Sequence, residues 1–310
     1  MKKLALKKLA ACTFSLLFSL SAYSGGGDDG SNSGELPPPS TCSINCGFEI
    51  GPDPSLSFVR ASQGPLPVST SIVSSSVDGF GGGTIYYPST ITDEMATIAI
   101  SPGFTASQSA IAWWGPLLAS HGFVVITIDT NGTFDQPTSR GRQLDSALNY
   151  LISEGNRANS PVAGLIDENR LATMGHSMGG GGALQSAARN RLSASVPLAP
   201  FNTGSNDFNQ INVPTMIMGC EDDGVAPVNS HAIPFYQDIP GTTDKALLEI
   251  ANGPHNCANG GSSNNPTLST YGVSWMKRFL DKDRRYDQFL CGPDHIADSR
   301  ISDFRDTCTF

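Results

Sequence analysis

A serine flanked by glycines carries the chemistry most readily identified in this sequence. Gly175-His176-Ser177-Met178-Gly179 reads G-x-S-x-G and directly follows the short apolar run 171–174. In that setting the serine lies on a sharp strand-to-helix turn that presents its hydroxyl above the sheet, and the strained backbone leaves no room for a Cβ at either flank. The glycines at 179–182 and the residues after them predict a helix packed against the strand. The pattern therefore predicts that Ser177 is a nucleophile, with a purely structural glycine turn as the alternative.

A serine hydroxyl is a weak nucleophile, so it needs a basic histidine and an acid that orients the histidine. In strand–turn–helix sites of this type the acid and then the histidine follow the serine along the chain, each at the carboxyl end of a strand. Two histidines follow Ser177 at a suitable distance. His231 is predicted to begin a helix, whereas His255 lies in a turn after the predicted strand 245–250. We therefore assign the base to His255.

The acid is expected after the strand-like run 215–218, where Glu221, Asp222 and Asp223 stand in a row. Asp223 begins the sequence Asp-Gly-Val-Ala-Pro, whose glycine and proline favour a tight turn that can aim a carboxylate at a neighbouring loop. Asp222 is the alternative, and either carboxylate can also be a solvated turn residue. Ser177, Asp223 and His255 together form the predicted catalytic triad.

Two backbone N–H groups are expected to stabilise the oxyanion that forms when the serine attacks a carbonyl group. One belongs to Met178, the residue after the nucleophile. The other is assigned to Phe104, in the sequence Ser101-Pro102-Gly103-Phe104 that follows a predicted central strand. An ordinary Pro-Gly turn is the alternative for this second segment.

The elements that must position these residues alternate between strand and helix. Two β runs, 67–75 and 82–88, flank Gly79-Phe80-Gly81 and predict an antiparallel hairpin at a sheet edge. Continuous apolar strands separated by amphipathic helices predict an α/β fold with a mainly parallel central sheet, helices on both faces and no lid domain. The further predicted strands are 97–101, 123–128, 171–174, 196–199, 213–218 and 246–250, and the helices are 109–120, 143–154, 271–280 and the one after Ser177.

The first 24 residues are predicted to be a signal peptide. They combine a basic start, an apolar core at 9–20 that is too short to span a bilayer, and Ala22-Tyr23-Ser24 as a cleavage site. A membrane anchor is the alternative, as is a lipoprotein, since Leu9-Ala10-Ala11-Cys12 imitates a lipid-attachment box but precedes most of the apolar core. Residues 25–46 are predicted to be a flexible linker and residues 47–310 the catalytic domain.

The net charge of the chain limits the kinds of partner that it can bind. The chain has 19 basic and 28 acidic residues, and removal of residues 1–24, with four lysines and no acids, leaves a net charge of −13. An acidic surface argues against nucleic acid and anionic membranes as partners.

An even number of cysteines in an exported chain suggests three disulfides. Zinc binding is the alternative for the Cys42/Cys46 pair. We expect neither a metal nor a cofactor. The six cysteines after residue 24 are Cys42, Cys46, Cys220, Cys257, Cys291 and Cys308.

With these residues assembled, nearly all of the segment 47–310 resembles bacterial cutinases and poly(ethylene terephthalate) hydrolases. The resemblance implies the α/β-hydrolase fold, catalysis by Ser177, Asp223 and His255, and an oxyanion hole formed by Phe104 and Met178. The motifs that carry it are Pro102-Gly103-Phe104-Thr105, Trp113-Trp114-Gly115-Pro116, Asp129-Thr130-Asn131, Asp135-Gln136-Pro137, the elbow from Gly175 to Gly182, Asp223-Gly224-Val225-Ala226-Pro227 and His255-Asn256-Cys257-Ala258-Asn259.

The resemblance also implies an open substrate groove with aromatic walls. Phe104 and Phe201 stand where the family places its aromatic clamp, although either could be a core residue on composition alone. The best-known polyester-degrading members carry Tyr, Trp and Trp where this chain has Phe104, His176 and Phe201. The remaining residues expected to line the groove are His176, Met178, Val225, Asn256 and Asn259.

The likeness extends to the cysteines and to one loop. It implies a Cys220–Cys257 disulfide, typical of a subgroup with an additional bond near the active site, and a C-terminal Cys291–Cys308 disulfide. Cys42 and Cys46 lie outside the family pattern, and a disulfide between them is expected only from the even number of cysteines. The polar stretch 258–271 is similar to the extended loop of the polyester-hydrolysing subgroup.

The function expected from these features is that of a secreted, monomeric serine esterase. It would cleave cutin-like and synthetic polyesters and short-chain esters through an acyl-enzyme, with the periplasm as the alternative location. A lipase or carboxylesterase acting on acylglycerols is the alternative within hydrolases, disfavoured by the missing lid insertion. An acyltransferase and a binding module on an inactive hydrolase fold are the alternatives from other classes.

Overall fold

Nine strands form a single sheet in the computed structural model, which describes residues 48–189, 191–204, 207–292 and 298–308. Along the chain they are β1 (Val68–Val73), β2 (Gly83–Pro88), β3 (Met95–Ser101), β4 (Val124–Ile128), β5 (Ile166–His176), β6 (Ala194–Leu198), β7 (Thr215–Cys220), β8 (Lys245–Ile250) and β9 (Ile301–Asp306). Across the sheet their order is β1-β2-β4-β3-β5-β6-β7-β8-β9.

Six strands at the centre of the sheet, β4, β3, β5, β6, β7 and β8, run parallel. The antiparallel strands lie at the two sides: β1 pairs with β2, β2 pairs with β4, and β9 pairs with β8. The predicted mainly parallel sheet and the antiparallel hairpin at its edge are confirmed. Because parallel strands end at the same edge, the loops after β3, β4, β5, β7 and β8 meet there.

Helices cover both faces of the sheet. Val125 of β4 packs in one apolar cluster with side chains of two helices, Trp114–Ser120 and Asn265–Leu280. Its neighbours Val124 and Ile126 pack in another cluster with side chains of the helix Pro137–Gly155. This alternation makes each central strand apolar on both faces. The helices are α1 (Leu56–Arg60), α2 (Trp114–Ser120), α3 (Pro137–Gly155), α4 (Met178–Ala187), α5 (Ala232–Asp238), α6 (Asn265–Leu280) and α7 (Asp287–Leu290), with 3₁₀ turns at Gln108–Ala110, His255–Ala258 and Arg284–Tyr286.

Helix boundaries depart from the sequence predictions at proline and at polar turns. Both α3 and α6 begin six residues earlier than predicted, since their first turns are polar and carry a proline that the start of a helix tolerates. The predicted helix 109–120 is wrong in its first half. It divides into a 3₁₀ turn and α2 because Pro116 cannot donate the hydrogen bond that would continue an α-helix through residue 112.

The predictions for residues 1–24 and 25–46, and for Cys42 and Cys46, lie outside the described residues. Within the described ranges, no helix is both long and apolar enough to cross a membrane. The same part of the chain contains no group of three or more His, Cys, Asp or Glu side chains arranged to hold a metal ion.

Candidate active site

Ser177 lies at a strained turn between β5 and α4. Its φ of 57° and ψ of −119° place the backbone where residues with a Cβ are rarely found. The flanking glycines are required by close backbone approach: a Cβ at Gly175 would lie 2.3 Å from the carbonyl oxygen of Gly179, and one at Gly179 would lie 2.3 Å from that of Ser101. The sequence spacing therefore has a steric cause in the packing of β3 against this turn.

Backbone hydrogen bonds hold the turn from two sides. The Ser177 N–H donates to the carbonyl oxygen of Leu198 at 2.9 Å, at the end of β6. The Ser177 carbonyl oxygen accepts from the N–H groups of Gly181 and Phe201, both at 2.9 Å. These bonds fix the backbone of the serine without using its side chain, which leaves the hydroxyl free for a partner across the sheet edge.

That partner is His255, whose ring lies between Ser177 and Asp223. The Nε2 atom of His255 is 2.9 Å from the Ser177 Oγ, and Nδ1 is 2.7 Å from Oδ2 of Asp223. His255 begins the 3₁₀ turn after β8, and Asp223 lies just after β7. Nδ1–H donates to the carboxylate, so Nε2 is left as the acceptor for the serine proton. A carboxylate, an imidazole and a hydroxyl in this order form the arrangement that activates a serine nucleophile.

Asp223 differs from its neighbour Asp222 in burial and in hydrogen bonding. Its Oδ1 accepts the N–H groups of Val225 at 2.8 Å and Ala226 at 2.7 Å. Burial raises the pKa of Asp223, but the hydrogen bonds from His255, Ala226 and Val225 outweigh it, and the pKa lies below its ordinary value. Asp222 is exposed at the surface. The carboxylate that contacts the histidine is therefore that of Asp223, ionised at neutral pH.

His176, one of the residues expected to line the groove, lies against the catalytic-base candidate His255. Its side chain is buried, with the residue 3% exposed, and its Nε2 lies 2.8 Å from the carbonyl oxygen of His255. A carbonyl can only accept, so Nε2 carries the proton and donates. Burial lowers the pKa of His176 to about 4, which keeps the ring neutral at neutral pH. This contact supports the backbone of His255, and the two histidine rings lie against each other with centroids 4.9 Å apart.

The segment before Phe104 contacts the nucleophile directly. A Cβ at Gly103 would lie 3.1 Å from the Cβ of Ser177, which is tighter than most Cβ contacts, so glycine favours this close approach. Thr105, with a φ of 59°, donates its N–H to the carbonyl oxygen of Thr133 at 2.8 Å. Met178 is the first residue of α4, where N–H groups have no acceptor within the helix. The amides of Phe104 and Met178 thus belong to two segments that adjoin Ser177.

A buried arginine braces this loop, and the sequence analysis missed it. The guanidinium of Arg140 donates to the carbonyl oxygens of Pro102 at 3.1 Å, Thr133 at 2.8 Å and Asp135 at 2.7 Å. Burial lowers the pKa of Arg140 to about 10, with Asp135 acting in the opposite direction, so it remains a cation at neutral pH. The sequence does contain an indication that Arg140 is buried, because Arg140 falls at helical spacing on the apolar face that continues through Leu144.

Several residues that are expected to line a substrate groove are open to solvent. Phe104 is 44% exposed and Val225, beside the Asp223 turn, is 56% exposed. Phe201 is half-buried because its ring stacks on that of His231, with centroids 5.0 Å apart. His231 directly precedes α5, in accord with its predicted place at a helix start. Of the other expected groove residues, Asn256 is exposed, and Met178 and Asn259 are half-buried.

Two disulfides are present in the described residues, and both match the pairings that the resemblance implied. Cys220–Cys257 joins the end of β7 to the turn after β8, with both cysteines buried. A Cβ at Gly253 would lie 3.2 Å from the Cβ of each cysteine, so the intervening turn packs directly on the bond. The bond therefore ties the Asp223 loop to the His255 loop. Cys291–Cys308 spans 17 residues close to the end of the chain.

Removal of the first disulfide is expected to affect both stability and activity. The bond closes a segment of 37 residues, which corresponds to about 4 kcal/mol on the chain-entropy model. Replacement of Cys220 and Cys257 by alanine should lower the Tm by about 8–15 °C. It should also lower kcat well below the Tm, by up to about 100-fold for a 1 Å separation of the acid and base loops. Thermal denaturation and ester hydrolysis at 25 °C measure the two effects.

The second disulfide provides a matched control. Replacement of Cys291 and Cys308 by alanine removes a closure worth about 3 kcal/mol on the same model, without touching either catalytic loop. We expect a lower Tm and an unchanged kcat. Equal losses of kcat in the two double variants would contradict a bracing role for Cys220–Cys257.

Comparison with known proteins agrees with this geometry. Residues 43–309 match the model of a family described as PET hydrolase-like. The chain belongs to the PET hydrolase-like family. It is 50% identical to the cutinase est1 of Thermobifida alba over 266 residues, which cover 85% of this chain and 87% of that protein. It is 48% identical to a bis(hydroxyethyl) terephthalate hydrolase of Streptomyces coelicolor over 278 residues, covering 89% and 86%, and 48% identical to a cutinase of Thermobifida fusca over 266 residues, covering 85% and 86%.

Proposed function

We propose that this protein is a serine ester hydrolase that cleaves polyesters, both cutin-like and aromatic, and short-chain esters. The observation that carries the proposal is the continuous series of hydrogen bonds from Asp223 through His255 to Ser177 at the carboxyl edge of the sheet. Membership of the PET hydrolase-like family and relatives named as cutinases and as a terephthalate ester hydrolase support the same substrate class.

The reaction begins with proton transfer from the Ser177 hydroxyl to Nε2 of His255 as Oγ attacks the ester carbonyl carbon. The N–H groups of Met178 and Phe104 stabilise the negative oxygen of the tetrahedral intermediate. Asp223 stabilises the imidazolium that forms, since its own carboxylate is held ionised. As the intermediate collapses, His255 gives its proton to the departing alkoxide, and the alcohol leaves an acyl-enzyme on Ser177. Water then repeats the sequence and releases the carboxylic acid.

The open groove favours polymer chains over long free acyl chains. Phe104 and Val225 are exposed at its walls, and flat aromatic diesters can stack against such side chains. A long acyl chain needs an enclosed apolar tunnel to gain comparable burial. A lipase acting on long-chain acylglycerols is for this reason the weaker alternative.

Parallel assays on soluble esters and on films test this function. We expect p-nitrophenyl butyrate to be hydrolysed faster than p-nitrophenyl palmitate, and terephthalate half-esters to be released from amorphous poly(ethylene terephthalate) film. Product analysis on cutin and on an aliphatic polyester completes the comparison. A marked preference for long-chain triglycerides, with no product from any polyester, would favour the lipase instead.

We also propose that the protein is exported and acts as a monomer. Disulfides such as Cys220–Cys257 and Cys291–Cys308 form and persist in oxidising compartments, and the first 24 residues have the composition of a signal peptide. Secretion into the medium accounts best for an enzyme whose substrate is a solid polymer, with the periplasm as the alternative. N-terminal sequencing of the exported protein and sedimentation of the purified one test the two statements.

A further inference from the structure

An exposed aromatic pair lies beside the oxyanion loop. Among the described residues, few large apolar side chains are exposed, and two of these, Phe104 and Phe134, contact each other. Their ring centroids are 5.3 Å apart with an interplanar angle of 75°, an edge-to-face arrangement. Phe134 is 68% exposed, so its contact with Phe104 leaves most of the ring in water. The pair therefore forms an exposed aromatic surface on the two neighbouring loops that carry Phe104 and Phe134.

The backbone on either side of Phe134 is held by a buried cation. The guanidinium of Arg140 donates to the carbonyl oxygens of Thr133 and Asp135, the two residues that flank Phe134. The third Arg140 contact, to Pro102, joins this loop to the segment that carries Phe104. The two aromatic rings therefore stand on loops that share one rigid support.

A second polar network fixes the start of the same loop. Oε1 of Gln143 accepts the Asn131 N–H at 2.7 Å, while the Gln143 Nε2 donates to Oδ2 of Asp135 at 2.8 Å. That carboxylate oxygen also accepts the Gly132 N–H at 3.0 Å. These bonds constrain the loop backbone and the side chains of Gln143 and Asp135, and none needs an aromatic ring at position 134.

A rigid loop that exposes a large apolar ring lacks the stabilisation that burial of the ring would provide. The loop would keep its shape with a polar residue at its tip, because its support comes from Arg140, Gln143 and Asp135. An aromatic ring exposed next to a substrate groove is instead a surface that can bind another flat ring by stacking. Its exposed area is continuous with that of Phe104, whose backbone borders the reaction centre.

From this geometry we infer that Phe134 is a specificity-determining residue, which binds a further aromatic ring of a polyester chain on the Phe104 side of the scissile ester. The inference rests on the proposed function and adds a substrate preference to it. A small ester such as p-nitrophenyl butyrate has no second ring that could stack on Phe134. The benefit is therefore confined to polymers and oligomers that carry aromatic rings.

The test compares polymer and small-ester rates in variants of position 134. Phe134→Ala should lower the ratio of terephthalate release from amorphous film to p-nitrophenyl butyrate hydrolysis by about threefold to tenfold, the effect of losing one aromatic contact. Phe134→Leu keeps apolar bulk without a flat ring, and should lower that ratio while retaining the rate on an aliphatic polycaprolactone film. Phe48→Ala is the matched control: Phe48 is 47% exposed and contacts Arg170, near the amino end of β5. It should leave the ratio unchanged.

Adsorption to film separates this inference from the proposed activity. In a Ser177→Ala background, which cannot turn over, Phe134→Ala should weaken binding to aromatic film by a similar factor. An unchanged rate ratio with unchanged adsorption would overturn the inference, as would equal losses on film and on p-nitrophenyl butyrate. A Phe134→Ala effect on sedimentation alone would assign the ring to a contact between two copies of the chain. Wild-type protein that hydrolyses none of the esters would contradict the proposed function, while the adsorption result would still decide the role of Phe134.

Discussion

Ser177→Ala is expected to lower ester hydrolysis by about 10⁶-fold, with only the oxyanion groups and substrate binding left to accelerate the reaction. The fold should survive, because the backbone bonds of Ser177 to Leu198, Gly181 and Phe201 do not involve the hydroxyl. Alanine also keeps the Cβ, so the strain at φ 57° is unchanged. Hydrolysis of p-nitrophenyl butyrate and the Tm measure the two expectations.

Two matched variants make this experiment decisive. Ser153→Ala removes an exposed hydroxyl on α3, remote from the site, and should leave the rate unchanged. Ser177→Gly should be as inactive as Ser177→Ala but more stable, because glycine relieves backbone strain of about 1–3 kcal/mol. A serine-directed fluorophosphonate should label Ser177 in the wild-type protein and nothing in Ser177→Ala. Activity of Ser177→Ala within tenfold of wild type, or labelling at another serine, would remove the basis of the proposed function.

The convergence of the three triad residues could be predicted from sequence because it follows from topology. Each of them follows a run of apolar residues within five positions, and parallel strands bring such ends to one edge of the sheet. The choice between Asp222 and Asp223, in contrast, does not follow from topology. The two neighbours differ only in direction, and that direction depends on the turn in which the Val225 and Ala226 N–H groups bind Oδ1. In the sequence, this turn is indicated only by its glycine and its proline.

The features that could not be predicted from the sequence depend on side-chain packing or lie in segments without an apolar run. β9 has the sequence Ile-Ser-Asp-Phe-Arg-Asp and partly exposed residues, so no apolar run marks it as an edge strand. His176 is adjacent to Ser177, yet the turn directs its ring into the protein, a direction that no spacing rule supplies. Phe134 stands out as the lone aromatic residue of a polar loop, but its exposure follows from the networks that hold the loop, which the sequence does not reveal.

Loss of the orienting acid should also have a large effect, and Asp223→Asn is the sharpest way to measure it. The side-chain amide of this variant should keep its oxygen toward the Val225 and Ala226 N–H groups, which can only donate. Its NH₂ group would then face Nδ1 of His255 and force the proton onto Nε2. In that tautomer the histidine cannot accept the Ser177 proton, so kcat should fall by about 10⁴-fold, as in other triads.

Asp222→Asn is the matched control, since it makes the same chemical change on the adjacent, exposed carboxylate and should leave kcat close to normal. His255→Ala should approach the loss seen for Ser177→Ala, because base and nucleophile act as one unit. Combining His255→Ala with Asp223→Asn should cost little more than His255→Ala alone, since the carboxylate acts only through the imidazole. A larger loss in Asp222→Asn than in Asp223→Asn would show that the orienting acid is Asp222, and full additivity in the double variant would mean that Asp223 acts independently of His255.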